Sequence, residues 1–178
     1  MLKDQFYKIE FTEADWLLGR SNAHVMILES GDFRYPYTAM ARPVLESLVD
    51  EYPNAIQLVF RHFPISSAHR QAALAAEAVE AAGAQGMFWE MHDMLFAHQD
   101  QIKFENLRLF ARLIGLAGER FDHDLMGHRY WAEVQQDVRH GIQDGISDTP
   151  TLFINGRRYD GFRDRASILS VVAALMPG

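Results

Sequence analysis

The sequence predicts an α/β fold in which a βαβ unit and a ββα unit flank a block of helices. Three observations support this order. Two short apolar runs in the N-terminal part are separated by a stretch with helical spacing, the middle of the chain is rich in strong helix formers, and an Asn-Gly pair near the C-terminus lies between two strand-like runs. Apolar periodicity and turn-forming pairs are the strongest local signals of secondary structure.

The βαβ unit follows a polar and aromatic lead-in over residues 1–23. Residues 25–28 form a continuous apolar run, as expected for a strand buried on both faces. A helix with Pro36 near its first turn should come next, because a missing N–H is tolerated there. A second strand is predicted over residues 56–60 and should be parallel to the first. The apolar stripe of the helix contains Met40, Val44, Leu45, Leu48, Val49 and Tyr52.

Helical character then continues roughly over residues 66–144. Residues 71–82 are nearly all strong helix formers, and Gly83 is a natural helix stop. Three more helices are predicted from apolar stripes, which contain Phe88, Met91 and Leu95, then Leu107, Phe110 and Ile114, and then Trp131, Val134, Val138 and Ile142. This stretch is therefore predicted to be a helical insertion.

The C-terminal part returns to β-structure. Asn155-Gly156 is a strong hairpin signal between residues 151–154 and 157–159, and the last helix is predicted over about 163–176. The chain accordingly divides into three parts within one continuous structural unit, at residues 1–65, 66–144 and 145–178.

The composition excludes several classes of function. The chain has 178 residues, a net charge of −7 and no run of Lys or Arg, so neither nucleic acid nor an anionic membrane surface is expected as a partner. No apolar stretch could span a bilayer, and the first residues lack the apolar core of a signal peptide, which predicts a cytoplasmic protein. The absence of cysteine excludes disulfides and thiolate metal sites. None of these features defines the oligomeric state.

Four segments of the chain, in this order, resemble the DSBA-like thioredoxin family. Gly31–Thr38 resembles its GDF-x-C-P-Y-C corner, and Arg61–Pro64 resembles the RHFP sequence after its second strand. Gly83–Asp93 is similar to its A-x-x-QGKFW-x-MHD helical segment, and Asp148–Gly156 to its G-TPTFFING segment. The match extends from about Asp15 to the C-terminus. The resemblance implies an α/β thioredoxin fold (βαβ…ββα) with an inserted all-helical subdomain.

The chain departs from that family at the two positions that carry its chemistry. Redox-active members have cysteines, the catalytic residues, where this sequence has Tyr35 and Thr38. Thiol–disulfide exchange needs a thiolate of lowered pKa and a second thiol that resolves the mixed disulfide. A phenol and a neutral hydroxyl can perform neither step. The family suggests a thiol–disulfide oxidoreductase, but these residues do not support that activity.

The resemblance also implies a ligand site that does not depend on thiols. Pro150 is expected to be a cis-proline, and the main chain before it would pair with an extended peptide or a partner protein by addition of a β-strand. The ligand would lie in a groove beside Tyr35 and Pro150. A redox-inactive binding module is therefore the main hypothesis, with binding positions at Pro36, Tyr37, Thr149 and Pro150.

A second hypothesis is a glutathione-dependent enzyme. Kappa-class glutathione transferases and 2-hydroxychromene-2-carboxylate isomerases resemble this architecture and use a hydroxyl residue followed by Pro-Tyr. Tyr35-Pro36-Tyr37 is a variant of that pattern. The Tyr35 hydroxyl would donate a hydrogen bond to the glutathione thiolate and lower the pKa of the thiol. A redox role through the thiols of a partner and a purely structural role are also compatible with the sequence.

The remaining polar residues near the corner are given structural roles. Without a thiol to tune, Glu29 and Asp32 are each expected to be a solvated or capping carboxylate. Tyr37 is expected to be an ordinary half-buried aromatic residue, and Thr38 an N-terminal helix residue with a satisfied hydroxyl.

The eight histidines are scattered, and no pair has the HExxH spacing of a zinc helix, so no metal site is expected. His62 and His92 fall in segments that match the family and are expected to be structural.

Overall fold

A computed structural model of the chain describes residues 1–7, 9, 15–65 and 70–176. The chain forms two compact units. The sheet unit contains residues 1–31, 37–61 and 148–178, and the helical unit contains residues 32–36 and 62–147. The corner at residues 32–36 thus belongs to the helical unit, whereas the sequence placed it in the first part, residues 1–65.

Within the described residues, six strands form one sheet in the order β1-β6-β5-β3-β4-β2. The lead-in over residues 1–23 was not predicted to contain strands, yet it supplies both edges: β1 pairs antiparallel with β6, and β2 pairs antiparallel with β4. β5 also runs antiparallel to β3 and to β6. The strand bounds are β1 Leu2–Phe6, β2 Trp16–Gly19, β3 Val25–Gly31, β4 Ile56–His62, β5 Thr151–Ile154 and β6 Arg157–Tyr159.

The hairpin between β5 and β6 turns at Asn155-Gly156, as predicted. Both residues have positive φ, 47° and 76°, which is the left-handed conformation that two-residue hairpin turns require. The Asn155 side chain also accepts a hydrogen bond from the Met26 main-chain N–H at 2.7 Å and donates to the His24 carbonyl at 3.1 Å. This side chain therefore ties the hairpin to β3.

The sheet unit also contains two helices. These are α1, Pro36–Glu51, whose residues from Tyr37 onward belong to this unit, and α7, Arg165–Ala173, the last helix of the chain. The buried face of α1 contains Ala41, Leu45 and Leu48. The predicted apolar stripe includes Met40, but its side chain is 68% exposed. It directly precedes Ala41, and the helical turn between neighbouring residues carries it off the buried face.

The helical unit is built around α2, whose buried alanines allow neighbouring helices to approach closely; they are Ala72, Ala75, Ala76, Ala78, Ala81 and Ala82. α2 packs against α3, α4, α5 and α6. The α5 helix was not predicted. The helix bounds are α2 Arg70–Gly83, α3 Phe88–Ala97, α4 Phe104–Leu113, α5 Gly118–Met126 and α6 Trp131–Gln143, with a short 3₁₀ turn at Gln99–Gln101. No helix in the described part of the chain has the length and apolar character needed to cross a membrane.

Candidate functional site

The corner that precedes α1 is organised by the carboxylate of Asp32. Its Oδ1 accepts from the Arg34 N–H at 2.7 Å, and its Oδ2 accepts from the Ile65 N–H at 2.9 Å. The Asp32 carbonyl accepts from the Tyr35 N–H at 3.1 Å. Asp32 is only 1% exposed, so it is a buried capping carboxylate rather than a solvated one.

The Gln99 side chain also stabilises this corner by hydrogen bonds. Its Nε2 donates to the carbonyl oxygens of Phe33 at 2.8 Å and Tyr35 at 3.2 Å. Arg34 donates in return to the Gln99 carbonyl. Sequence reasoning missed Gln99, because nothing in its local pattern indicates a contact with a segment so distant along the chain.

An aromatic cluster anchors the corner within the helical unit. The Phe33 ring is buried against Phe96, His92 and His62, with ring centroids 4.8, 5.5 and 5.9 Å apart. His62 and His92 are themselves buried, and His62 Nε2 lies 2.8 Å from a Glu80 carboxylate oxygen. Both histidines therefore have the structural surroundings predicted for them.

The residues at the family's cysteine positions have different surroundings. Tyr35 is half-buried in the helical unit. Thr38 is fully buried on α1 in the sheet unit, where its Cγ2 lies so near Gly31 that a Cβ at Gly31 would be 2.9 Å away. The same Cβ would be 2.5 Å from the Phe60 ring. Thr38 is thus a core residue that packs against Gly31 at the end of β3, where there is no room for a larger side chain.

Pro36 and Tyr37 form the exposed start of α1. Tyr37 was expected to be half-buried, but its side chain is 59% exposed. The first turn of a helix has fewer neighbouring side chains than its middle, and Tyr37 lies off the face that carries Thr38 and Ala41. Tyr37 and Met40 are therefore two large apolar side chains, separated by one helical turn, that are accessible on the surface of the sheet unit.

The segment before β5, in the sheet unit, is a second candidate feature. The Thr149–Pro150 peptide bond is cis. The Thr149 N–H donates to the Asp148 carboxylate at 2.8 Å, and the Thr151 hydroxyl donates to the Asp148 carbonyl at 2.7 Å. Arg163 donates to the Pro150 carbonyl, also at 2.7 Å. The main chain around the proline is thus held by side chains of the sheet unit.

Glu29 lies on β3, covered on both faces, and is 1% exposed. It is neither solvated nor a capping residue, which corrects the prediction. Burial raises the pKa of Glu29 to about 8; the nearby Arg42 guanidinium lowers this pKa, the Glu46 carboxylate raises it and Arg163 lowers it. Among the described residues, Glu29 Oε1 has no hydrogen-bond partner.

The chain belongs to the thioredoxin family, because the family model described as thioredoxin matches residues 12–174. Within this family it is a DSBA-like protein that lacks the cysteine pair.

Solved structures agree on the fold. BdbD from Bacillus subtilis has a TM-score of 0.81 at 21% identity and covers 91% of this chain and 92% of its own.

Two further similar structures have higher identity. A thioredoxin-like oxidoreductase from Silicibacter pomeroyi is 25% identical, with a TM-score of 0.80 and coverage of 92% of each chain. DsbA2 from Pseudomonas aeruginosa is 26% identical, with a TM-score of 0.73 and coverage of 93% of this chain and 97% of its own.

Curated relatives are much longer proteins. The Na(+)/H(+) antiporter NhaA 1 of Salinispora arenicola is 37% identical over 166 residues, which is 93% of this chain and 25% of the antiporter. NhaA 3 of Salinispora tropica is 40% identical over 149 residues, 84% of this chain and 23% of the antiporter. The chain therefore spans about a quarter of the length of these relatives.

Proposed function

We propose that this chain is a redox-inactive binding module for extended peptides or partner proteins. The observation that carries the proposal is that Asp148 and Arg163 hold the main chain of Thr149 and Pro150 in a chain with tyrosine and threonine at the two cysteine positions. Pairing of a peptide with the main chain before the proline requires backbone groups and no sulfur. Binding can therefore persist where disulfide exchange has been lost.

The surface of the sheet unit supports the proposal. Tyr37 and Met40 are 59% and 68% exposed, and large exposed apolar side chains supply contact area for a peptide. Thr38, at the start of α1, packs tightly against Gly31, so the helix that carries Tyr37 and Met40 is rigid. A rigid surface loses little conformational entropy when a ligand binds.

A library selection tests the proposal. Short random peptides without cysteine are displayed on phage and selected on the immobilised chain, and the tightest selected peptide is labelled with fluorescein. We expect it to bind and to shift the amide resonances of Thr149 and Tyr37 in ¹H–¹⁵N spectra. Selection of no peptide, or a bound peptide that leaves both resonances in place, contradicts the proposal.

A glutathione-dependent enzyme is the second candidate. Tyr35 is half-buried at the corner, and its main chain is held by Gln99 and Asp32, so the phenol is carried by a fixed backbone. Its hydroxyl could donate a hydrogen bond to a glutathione thiolate. Glutathione at millimolar concentration should then raise the melting temperature of the chain, and Tyr35→Phe should reduce the increase. No increase with glutathione excludes this candidate.

Intrinsic disulfide activity does not form part of the proposal. The chain has no cysteine, so it cannot form a mixed disulfide with a substrate. A redox role would have to use the thiols of a partner. An insulin-reduction assay with the purified chain and dithiothreitol should show only the rate of dithiothreitol alone; a faster rate contradicts this view.

The antiporter relatives extend the proposal to longer proteins. These antiporters are about four times as long as this chain, and we propose that the shared quarter is a thioredoxin-type binding module within them.

The cytoplasmic location expected from the sequence remains part of the proposal. Fractionation of cells that express the chain from its own gene tests the location, and recovery outside the cytoplasm contradicts it.

A further inference from the structure

We propose that Asp148 is a built-in competitor for the peptide site, because its carboxylate occupies the main-chain N–H that a bound peptide would use. The contact joins Asp148 Oδ1 and the Thr149 nitrogen at 2.8 Å. This inference rests on the proposed function, since it concerns regulation of the same site. It assigns to Asp148 a role in affinity rather than in folding.

The Thr149 N–H is the donor that matters in this segment. Proline has no N–H, so the Thr149–Pro150 pair contains one main-chain donor. The Pro150 carbonyl already accepts a hydrogen bond from Arg163 at 2.7 Å. A peptide that pairs with the Thr149 N–H must therefore displace the Asp148 carboxylate from it.

Release of the carboxylate leaves the turn intact. Asp148 is exposed, so its carboxylate can rotate into solvent without burying a charge. The Thr151 hydroxyl donates to the main-chain carbonyl of Asp148 at 2.7 Å, and this bond does not involve the carboxylate. The segment therefore has a closed arrangement, with the carboxylate on the N–H, and an open arrangement with the same main-chain anchor.

The Thr149 hydroxyl gives a second, independent observation. Thr149 is 2% exposed, and its Oγ1 has no hydrogen-bond partner among the described residues. A buried hydroxyl without a partner destabilises the arrangement in which it occurs. The closed arrangement thus leaves one polar group of Thr149 unsatisfied, and a polar ligand group that arrives beside the N–H could satisfy it.

The competitor should be strong because it is charged. A hydrogen bond from an N–H to a carboxylate is roughly twice as strong as one to a neutral carbonyl oxygen. Exchange of the Asp148 carboxylate for a peptide carbonyl therefore lowers the net affinity. Asp148→Ala removes the competitor, and Asp148→Asn keeps a side-chain oxygen at the same place without the charge. Peptide affinity should increase in the order wild type, Asp148→Asn, Asp148→Ala.

Fluorescence anisotropy with the fluorescein-labelled peptide from the phage selection tests this order. We expect Asp148→Ala to bind about tenfold more tightly than wild type, with Asp148→Asn in between. Ser147→Ala is the matched control, because Ser147 is the exposed neighbour, and its affinity should equal that of wild type. Without peptide, the Thr149 amide resonance should move in Asp148→Ala and stay in place in Ser147→Ala.

The outcomes separate this inference from the proposed function. If wild type binds the peptide and both Asp148 variants bind it equally well, Asp148 does not compete and only this inference is overturned. Weaker binding by Asp148→Ala, with an intact ¹H–¹⁵N spectrum, would show that Asp148 positions the segment, which also overturns it. If the wild type and both variants fail to bind, the inference and the proposed function are overturned together. Asp148→Asn keeps the size of the side chain and so provides the comparison if Asp148→Ala does not fold.

Discussion

Gln99 and Tyr35 are 64 positions apart in the chain, yet Gln99 Nε2 donates to the Tyr35 carbonyl oxygen at 3.2 Å. The same nitrogen donates to the Phe33 carbonyl at 2.8 Å. One amide group thus donates hydrogen bonds to two carbonyls of the corner that precedes α1. The corner is held by side-chain hydrogen bonds, which makes its geometry sensitive to single substitutions.

Gln99→Ala should loosen the corner without dismantling the helical unit. Loss of the side-chain donor removes the hydrogen bonds to the Phe33 and Tyr35 carbonyls, and each part-buried hydrogen bond contributes on the order of 1 kcal/mol. We expect a loss of about 1–3 kcal/mol in the free energy of unfolding by urea, and faster amide exchange at Tyr35. Gln101→Ala is the control, because Gln101 is an exposed residue of the same short 3₁₀ turn. An equal loss in both variants would contradict the role of Gln99.

Gly31→Ala should destabilise the sheet unit by overpacking. The added Cβ would lie 2.5 Å from the Phe60 ring and 2.9 Å from Thr38 Cγ2, both far inside van der Waals contact. Overpacking of this kind costs about 1–3 kcal/mol of stability, measured by urea unfolding. The double variant Gly31→Ala with Phe60→Leu should recover part of the loss, because leucine replaces the phenylalanine ring that the added Cβ would meet. Gly118→Ala is the control, because its added Cβ meets nothing nearer than 3.8 Å.

The elements with strong local signals could be predicted from the sequence. The strand at Val25, the Ala-rich α2 helix and the hairpin at Asn155-Gly156 each have a periodicity or a turn pair within a few residues. β1 and β2 were missed because their signals are not local. Leu2 pairs with Tyr159 and Trp16 with Phe60, and pairings across such distances leave no pattern in either segment alone.

Helix α5 was missed for a different reason. It begins with Gly118, is rich in charged residues and buries only two apolar side chains, Phe121 and Leu125, so its stripe is too short to recognise. The motifs at Tyr35–Thr38 and at Thr149–Pro150 were predictable from the sequence. The burial of Glu29 was not predictable from the motif, because it depends on what covers both faces of β3.

Glu29 should make the stability of the protein depend on pH. Burial raises the pKa of Glu29 from 4.5 to about 8, so below 4.5 the carboxyl is protonated in both the native and the unfolded chain. Between these pH values the unfolded chain releases the proton and the native chain retains it. The free energy of unfolding should therefore fall with rising pH, by up to about 1.4 kcal/mol per pH unit, until the native carboxyl also ionises.

Glu29→Gln should remove this dependence, because glutamine replaces the protonated carboxyl with a neutral group of similar shape. Urea unfolding across the window from 4.5 to about 8 should show the variant becoming progressively more stable than wild type. Glu105→Gln removes one negative charge at an exposed position and controls for the change in net charge. Parallel curves for wild type and Glu29→Gln would show that Glu29 does not titrate in this way.

Met40→Ala and Tyr37→Ala should weaken binding of the selected peptide while leaving stability nearly unchanged. Both side chains are mostly exposed, so their removal creates no cavity. If they contact the peptide, each truncation should raise the Kd by roughly tenfold, measured by fluorescence anisotropy. Met126→Ala, at the end of α5, and Phe162→Ala, between β6 and α7, are matched controls with exposed fractions of 64% and 82%. Equal losses in the controls would indicate nonspecific apolar binding.

Cysteines placed at the two family positions should differ in reactivity. Tyr35 is half-buried beside the first turn of α1, and a helix N-terminus favours a thiolate, so Tyr35→Cys should react quickly with iodoacetamide. Thr38 is fully buried, so Thr38→Cys should react only after unfolding in urea. Ser170→Cys, at an exposed position late in α7, supplies the reference rate and its ordinary pH profile. A native-state rate for Thr38→Cys equal to that reference would contradict the packing of Thr38.

The double variant Tyr35→Cys with Thr38→Cys then asks whether the scaffold still supports disulfide exchange. The first thiol would attack a substrate disulfide as the thiolate, and the second would displace the substrate from the mixed disulfide, which leaves the substrate reduced and the variant oxidised. Dithiothreitol would return the variant to its dithiol form. We expect insulin reduction above the rate of dithiothreitol alone for the double variant, and no such increase for Tyr35→Cys, which lacks the resolving thiol. A folded double variant without activity would show that divergence from the family extends beyond the two sulfur atoms.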